Sequence, residues 1–161
     1  MISLVRVDNR LIHGQVVEAW LPHLKVDRVA VADDEAASNP LIRAAMGLAV
    51  QPSIEVLIDS VGGVDFDQLS KDDKKTLVLV RDVRNAVEAM SRGLDLQKLN
   101  LGNVHFATGR KQVSPSVFLS QDELNQLKML VDEGVEVDAR GVPADRPVTF
   151  ADISERFGKG N

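Results

Sequence analysis

The stretch Ile2-Ser-Leu-Val-Arg-Val-Asp-Asn-Arg-Leu-Ile-His-Gly-Gln-Val-Val-Glu-Ala-Trp-Leu-Pro-His-Leu24, followed by Arg28-Val-Ala-Val-Ala32, decides the fold. Its opening is a short apolar, β-branched run, which predicts a strand over Ile2–Val7. Apolar residues three and four apart over Val16–Leu24 predict an amphipathic helix beginning near Gly14 or Gln15, and Arg28–Ala32 predicts a second strand. Strand, helix and strand at this spacing form a crossover unit, which joins parallel neighbours.

The same alternation continues outward. Further strands are expected at Ile54–Ile58, Thr76–Val80, Lys98–Leu101, Val117–Leu119 and Val135–Val137, with helices at Leu41–Val50, Val83–Met90 and Leu124–Val131. Asn39-Pro40 suits an N-cap and N1 pair, and Ser120-Gln-Asp-Glu123 matches a capping box. Gly93 and Gly134 suit C′ positions. The expected architecture is α/β: a doubly wound, mainly parallel open sheet with helices on both faces. No linker or fixed-period repeat interrupts residues 1–161, so one domain is expected.

Composition narrows the function. With 44% hydrophobic and 27% charged residues the chain has the make-up of a folded domain. A net charge of −5 disfavours nucleic acid as a partner. The absence of cysteine excludes disulfides, thiolate nucleophiles and Cys-ligated metals. No apolar run approaches the roughly 18 residues that span a bilayer, and the N-terminus lacks a secretory pattern, so a cytoplasmic location is expected.

In an open parallel sheet, ligands bind at the carboxyl ends of strands. That places interest on residues 8–15, where Asp8, Arg10, His13, Gly14 and Gln15 follow the first strand. A neutral imidazole nitrogen is nucleophilic near pH 7, so His13 can accept and release a phosphoryl group. Arg10 would neutralise its oxygens, Asp8 would hold the second ring nitrogen or Arg10, and the Gly14 and Gln15 amides would open the helix as an anion site. Neither a metal nor another cofactor is required. An acid, an arginine and a histidine in one loop are common, and their spacing alone is a weak pointer.

The segment Arg6-Val-Asp-Asn-Arg-Leu-Ile-His-Gly-Gln-Val16 resembles the signature of enzyme IIB of the mannose/sorbose family of sugar phosphotransferase systems. The likeness extends through Val29-Ala-Val-Ala-Asp-Asp-Glu35, Leu99-Asn-Leu-Gly-Asn-Val-His-Phe-Ala-Thr-Gly-Arg-Lys-Gln-Val113 and Leu127–Val137. It implies a doubly wound α/β fold in which His13 takes phosphate, on Nδ1, from a IIA phosphohistidine and hands it to a sugar at the membrane IIC/IID permease. It also implies Arg10 as phosphoryl binder, Asp8 as its support, and a sugar of the mannose, fructose, sorbose or amino-sugar group. Two positions depart from the pattern: Asn9 stands where a second aspartate is common, and Asn103 where a second glycine is.

Other residues compete for attention. His105 and Arg110-Lys111 are candidates for a second wall around the phosphate, against the plainer reading of a solvated loop. Asp33, Asp34 and Glu35 fit a helix N-terminus better than a metal site. Trp20 suits burial better than docking, and His23 a structural place late in its helix. A regulatory phosphohistidine module and an anion-binding subunit both remain open as alternatives, as does assembly into a homo-oligomer.

Overall fold

The computed structural model describes residues 1–160. Its seven-stranded sheet runs β3-β2-β4-β1-β5-β8-β9. The strands are β1 (Ile2–Asp8), β2 (Arg28–Ala32), β3 (Glu55–Asp59), β4 (Thr76–Val80), β5 (Lys98–Asn103), β8 (Glu136–Ala139) and β9 (Val148–Thr149). All neighbours pair in parallel except β8 and β9. β2 and β4 are buried along their whole length, as strands covered on both faces must be, which is why, after Arg28 and Thr76 at their starts, they read as unbroken apolar runs.

The chain steps from β1 towards β2 and β3, then reverses through β4 to β5 and β8. Right-handed crossovers then require helices on opposite faces before and after the reversal. One face buries Leu4, Val29, Val31, Leu77 and Leu79 under the helical run 14–24 and α2 (Asp34–Ser38). That run comprises a π-helical turn at Val16–Trp20 and α1 (Leu21–Leu24), and α3 (Pro40–Ala49) lies more loosely beside it. The other face buries Val5, Val7, Val78 and Leu99 under α4 (Phe66–Lys71), α5 (Val83–Ser91), α6 (Gln121–Asp132) and α7 (Phe150–Lys159). β1 and β5 are neighbours whose connections leave in opposite directions, so a crevice opens between their carboxyl ends.

Departures from the sequence reading have local causes. Val117–Leu119 is a strand, yet it lies outside the main sheet as β7, paired with β6 (Lys111–Ser114) in an antiparallel hairpin. The hairpin is tied to the end of β5 through Val104 N–H to Ser116 O and Phe118 N–H to Val104 O, each 2.9 Å. Helices α2 and α4 are too short to show periodicity. α7 carries Phe150, Ile153 and Phe157 at helical spacing, and Thr149 caps it. The capping box at Ser120 and Glu123 is present.

Ile153 is fully buried, so Ile153→Ala should lower unfolding free energy by about 2–5 kcal/mol. Urea denaturation should show a reduced midpoint with an unchanged slope.

Candidate active site

Arg6 and Asp8 lie two residues apart on β1 and therefore project from the same sheet face. Both are fully buried. A buried guanidinium must satisfy its donors. Arg6 Nε bonds Asp8 Oδ2 at 3.1 Å, Nη1 bonds Asn100 Oδ1 at 2.6 Å and the Arg140 carbonyl at 3.1 Å. Nη2 bonds Gln15 Oε1 at 3.1 Å and the Gly141 carbonyl at 3.0 Å. Every N–H of the fork is thereby used, and the Trp20 ring packs 5.1 Å from its carbon.

The local backbone makes room for this. Arg6 pairs with Asn100 across β1 and β5, and the register slips so that Val7 faces Leu101 while Asp8 faces Asn103. Gly102 is the residue skipped, and a Cβ there would overlap the Arg6 guanidinium.

Asp8 gathers four donors. Oδ1 accepts from Arg10 N–H at 2.9 Å; Oδ2 accepts from Asn103 Nδ2 at 2.9 Å, from Arg6 Nε, and from His13 Nε2 at 2.7 Å. Burial alone would raise the Asp8 carboxyl, but His13, Arg6, Asn103 and the Arg10 amide outweigh it and hold it below the usual carboxylate range. An ionised carboxylate only accepts, so the ring nitrogen facing it is the donor, and in the neutral tautomer this selects, the lone pair lies on Nδ1. The His13 side chain is 10% exposed, enough to be reached from outside.

The loop between Asp8 and His13 is pinned from below. Leu11 adopts φ 58 and is 1% exposed, trading backbone strain for a place in the core beside Trp20. A turn closes through Leu11 N–H to the Asp8 carbonyl at 2.9 Å. Beyond His13 the helical run begins at Gly14, and the Val16 and Val17 amides both bond the His13 carbonyl.

Of the residues singled out in the sequence, Asp8, His13 and Gln15 come together here. Arg10 joins through its amide, while its side chain is exposed and hydrogen-bonds no described residue. Arg110 lies elsewhere: Nε and Nη2 fork onto Glu123 at 2.9 and 3.2 Å, and Nη1 bonds the His105 carbonyl. Its donors hold the cap of α6 and not the His13 loop. His105 is exposed on a separate open cleft of about 870 Å³ shared with Asp82, Arg84 and Asp122. The Lys111 ammonium stands 4.8 Å from the Phe157 ring. Asp33 caps α2 and is forked by Arg81, Asp34 accepts from Val61 N–H, and no described acidic or histidine cluster could hold a metal. Trp20 is buried, its indole N–H on the Gly141 carbonyl at 2.9 Å.

The residues that sequence reasoning missed are Arg6, Asn100 and Gly102; Asn103 was marked only as a departure from the family pattern and not as a partner of Asp8. A charged residue inside an apolar strand, two places from an acid, was the available signal.

Fold and site together define a doubly wound α/β protein with a carboxylate-held imidazole at the switch point of its sheet. Residues 2–159 match the family described as PTS system sorbose subfamily IIB component, and the chain belongs to that family. It is 31% identical to the sorbose-specific EIIB component of Lacticaseibacillus casei over 99% of both chains. It is 30% identical to the N-acetylgalactosamine-specific phosphotransferase enzyme IIB component 1 of Escherichia coli K12, over 94% of this chain and 97% of that one. The solved IIBSor domain of the sorbose permease from Klebsiella pneumoniae superposes with a TM-score of 0.86 at 26% identity, over 96% of this chain and 97% of that one. The chain is thus a IIB component of the sorbose/mannose phosphotransferase family.

Two expectations follow from the buried cluster. Gly102→Ala should cost about 3 kcal/mol, the upper part of the overpacking range, whereas Gly14→Ala, with nothing within 4 Å, should be near neutral in thermal melts. Asp8→Asn leaves a buried cation unpaired and should cost about 3–5 kcal/mol at pH 7. Because the native Asp8 carboxyl is depressed, its stabilisation is complete above the unfolded value of about 3.9 and is lost as pH falls through the lower native value. The gap between wild type and Asp8→Asn should therefore close below about pH 4, and a gap independent of pH would contradict the assignment.

Proposed function

We propose that the chain is a phosphocarrier whose His13 Nδ1 takes a phosphoryl group from a IIA phosphohistidine and passes it to a sugar at the IIC/IID permease. The observation that supports this reading is the 2.7 Å bond from His13 Nε2 to Asp8, which leaves Nδ1 as the nucleophile. In charging, the Nδ1 lone pair forms the new P–N bond as the donor's P–N bond breaks, and Nε2 keeps its proton on Asp8. In discharge, a sugar hydroxyl oxygen attacks phosphorus, the electron pair returns to Nδ1, and the hydroxyl proton passes to water.

Catalysis is then a matter of position and charge. Arg10 swings its free guanidinium onto the phosphoryl oxygens, and the Gly14 and Gln15 amides at the start of the helical run add donors. Asp8, already saturated by Arg6 and Asn103, orients the ring without taking its proton. The protein works at the cytoplasmic side of its permease; no described helix is long and apolar enough to cross a membrane. The sugar belongs to the group named by the relatives, which includes sorbose and N-acetylgalactosamine.

Intact mass at mildly alkaline pH, after incubation with phosphoenolpyruvate, the general phosphotransferase proteins and an active mannose-family IIA, tests the reading. Wild type should gain an acid-labile phosphate and His13→Ala should not; an unlabelled wild type would overturn it. Arg10→Ala should slow charging by about 100-fold, as loss of one transition-state donor does, with unfolding free energy within about 0.5 kcal/mol of wild type.

A further inference from the structure

The donors on the Asp8 carboxylate are unevenly divided. Oδ1 takes the Arg10 amide at 2.9 Å. Oδ2 takes His13 Nε2 at 2.7 Å, Asn103 Nδ2 at 2.9 Å and Arg6 Nε at 3.1 Å. A carboxylate oxygen offers about two lone-pair sites, so these three donors share its charge and each bond is weakened by the other two. Arg6 and Asn103 therefore limit how firmly Oδ2 holds the imidazole.

Of those two, Asn103 is the one the fold can spare. Loss of Arg6 would leave its buried acceptors without their cation. Asn103 is half-buried at the end of β5, and its backbone is fixed without help from its side chain. Its carbonyl accepts from the Asn9 amide at 2.9 Å, and the next residue, Val104, is bonded to Ser116 and Phe118 of the hairpin. Its side-chain amide also donates to Gln15 Oε1 at 3.0 Å, an atom that accepts from Arg6 Nη2 as well. Truncating Asn103 thus orphans no buried acceptor: Gln15 keeps Arg6, and Asp8 keeps Arg6, His13 and the Arg10 amide.

We infer that Asn103 is a positioning residue that, by sharing Asp8 Oδ2 with His13, sets how readily the phosphoryl group leaves Nδ1. The inference rests on the phosphocarrier reading and adds to it the control of the transfer equilibrium. In the charged form phosphorus is bonded to Nδ1 while Nε2 keeps its proton, so the ring carries a positive charge. On discharge the acceptor oxygen bonds phosphorus, the P–N electron pair returns to Nδ1, the acceptor's proton passes to water and the ring is neutral again. A carboxylate beside Nε2 favours the positive ring over the neutral one. The less its charge is shared, the more firmly the phosphoryl group is retained. Asn103 draws on that charge and so tilts the balance towards release.

Asn103→Ala and Asn103→Gly test it, with purified phosphorylated IIA of the mannose family as donor and intact mass as the readout. The equilibrium constant for transfer from IIA to each variant should be about fivefold above that for wild type, the effect of one hydrogen bond. Discharge to sugar with permease membranes should slow by a similar factor. A merely structural role predicts the reverse, because a loosened loop is charged more slowly and loses phosphate to water faster. In NMR of the uncharged protein, the His13 Nε2–H proton should lie further downfield in both variants than in wild type. Wild type alone gives a second readout: charging strengthens the bond from His13 to Oδ2, so the Asn103 side-chain amide proton facing Asp8 should move upfield. A transfer constant unchanged or lowered in both variants, or an Asn103 amide unmoved by charging, would overturn the role of Asn103 and leave the carrier standing. If an active IIA does not charge wild type at all, the carrier reading falls, and the control of transfer falls with it.

Discussion

The buried guanidinium of Arg6 is the constraint on which the site depends. A cation with no solvent must be surrounded by acceptors, and Arg6 draws them from four separate pieces of chain: Asp8 on its own strand, Asn100 on β5, Gln15 on the first helical run, and the carbonyls of Arg140 and Gly141 beyond β8. Each of those pieces is thereby fixed relative to the others. The skipped residue at Gly102, the parallel pairing of β1 with β5 and the approach of the Gly141 loop to Trp20 are parts of one solution to the same desolvation problem.

The electrostatic result is a carboxylate whose charge is divided before His13 reaches it. Asp8 serves Arg6, Asn103, the Arg10 amide and the imidazole at once. It is strong enough as an acceptor to fix the tautomer and too heavily hydrogen-bonded to be a ready base. Asn103 contributes here in a way no glycine could, because its side-chain amide bridges Asp8 Oδ2 and Gln15 Oε1. This side chain therefore adds a link between the two carboxyl-end loops.

Much of this was legible in the sequence. Beyond Arg28 and Thr76, β2 and β4 are apolar runs because both of their faces are covered, and the helical run after β1 shows its period plainly. His13 and Asp8 were placed by the rule that ligands bind at strand ends. Arg6 was not found, since strand reading counts it as a polar interruption and does not ask what a buried cation would need. Asn100 and Gly102 acquire meaning only once β5 is known to lie beside β1, a pairing set by topology across nearly a hundred residues. Arg110 was drawn towards the site by its neighbours in sequence, but the acid nearest to it in space is Glu123. The short α2 and α4 have too few turns to leave a period at all.

The left-handed Leu11 has a further consequence, for encounters between proteins. A loop tip usually holds its freedom until a partner arrives, and each arrival must then include the search for a competent shape. Here the tip is a peg set in the apolar core, so the ordering of residues 8–13 was completed when the chain folded. On the carrier reading proposed above, a donor and an acceptor met in alternation would both find the same finished surface. The speed of exchange is then governed by diffusion and orientation, and by how quickly each partner lets go.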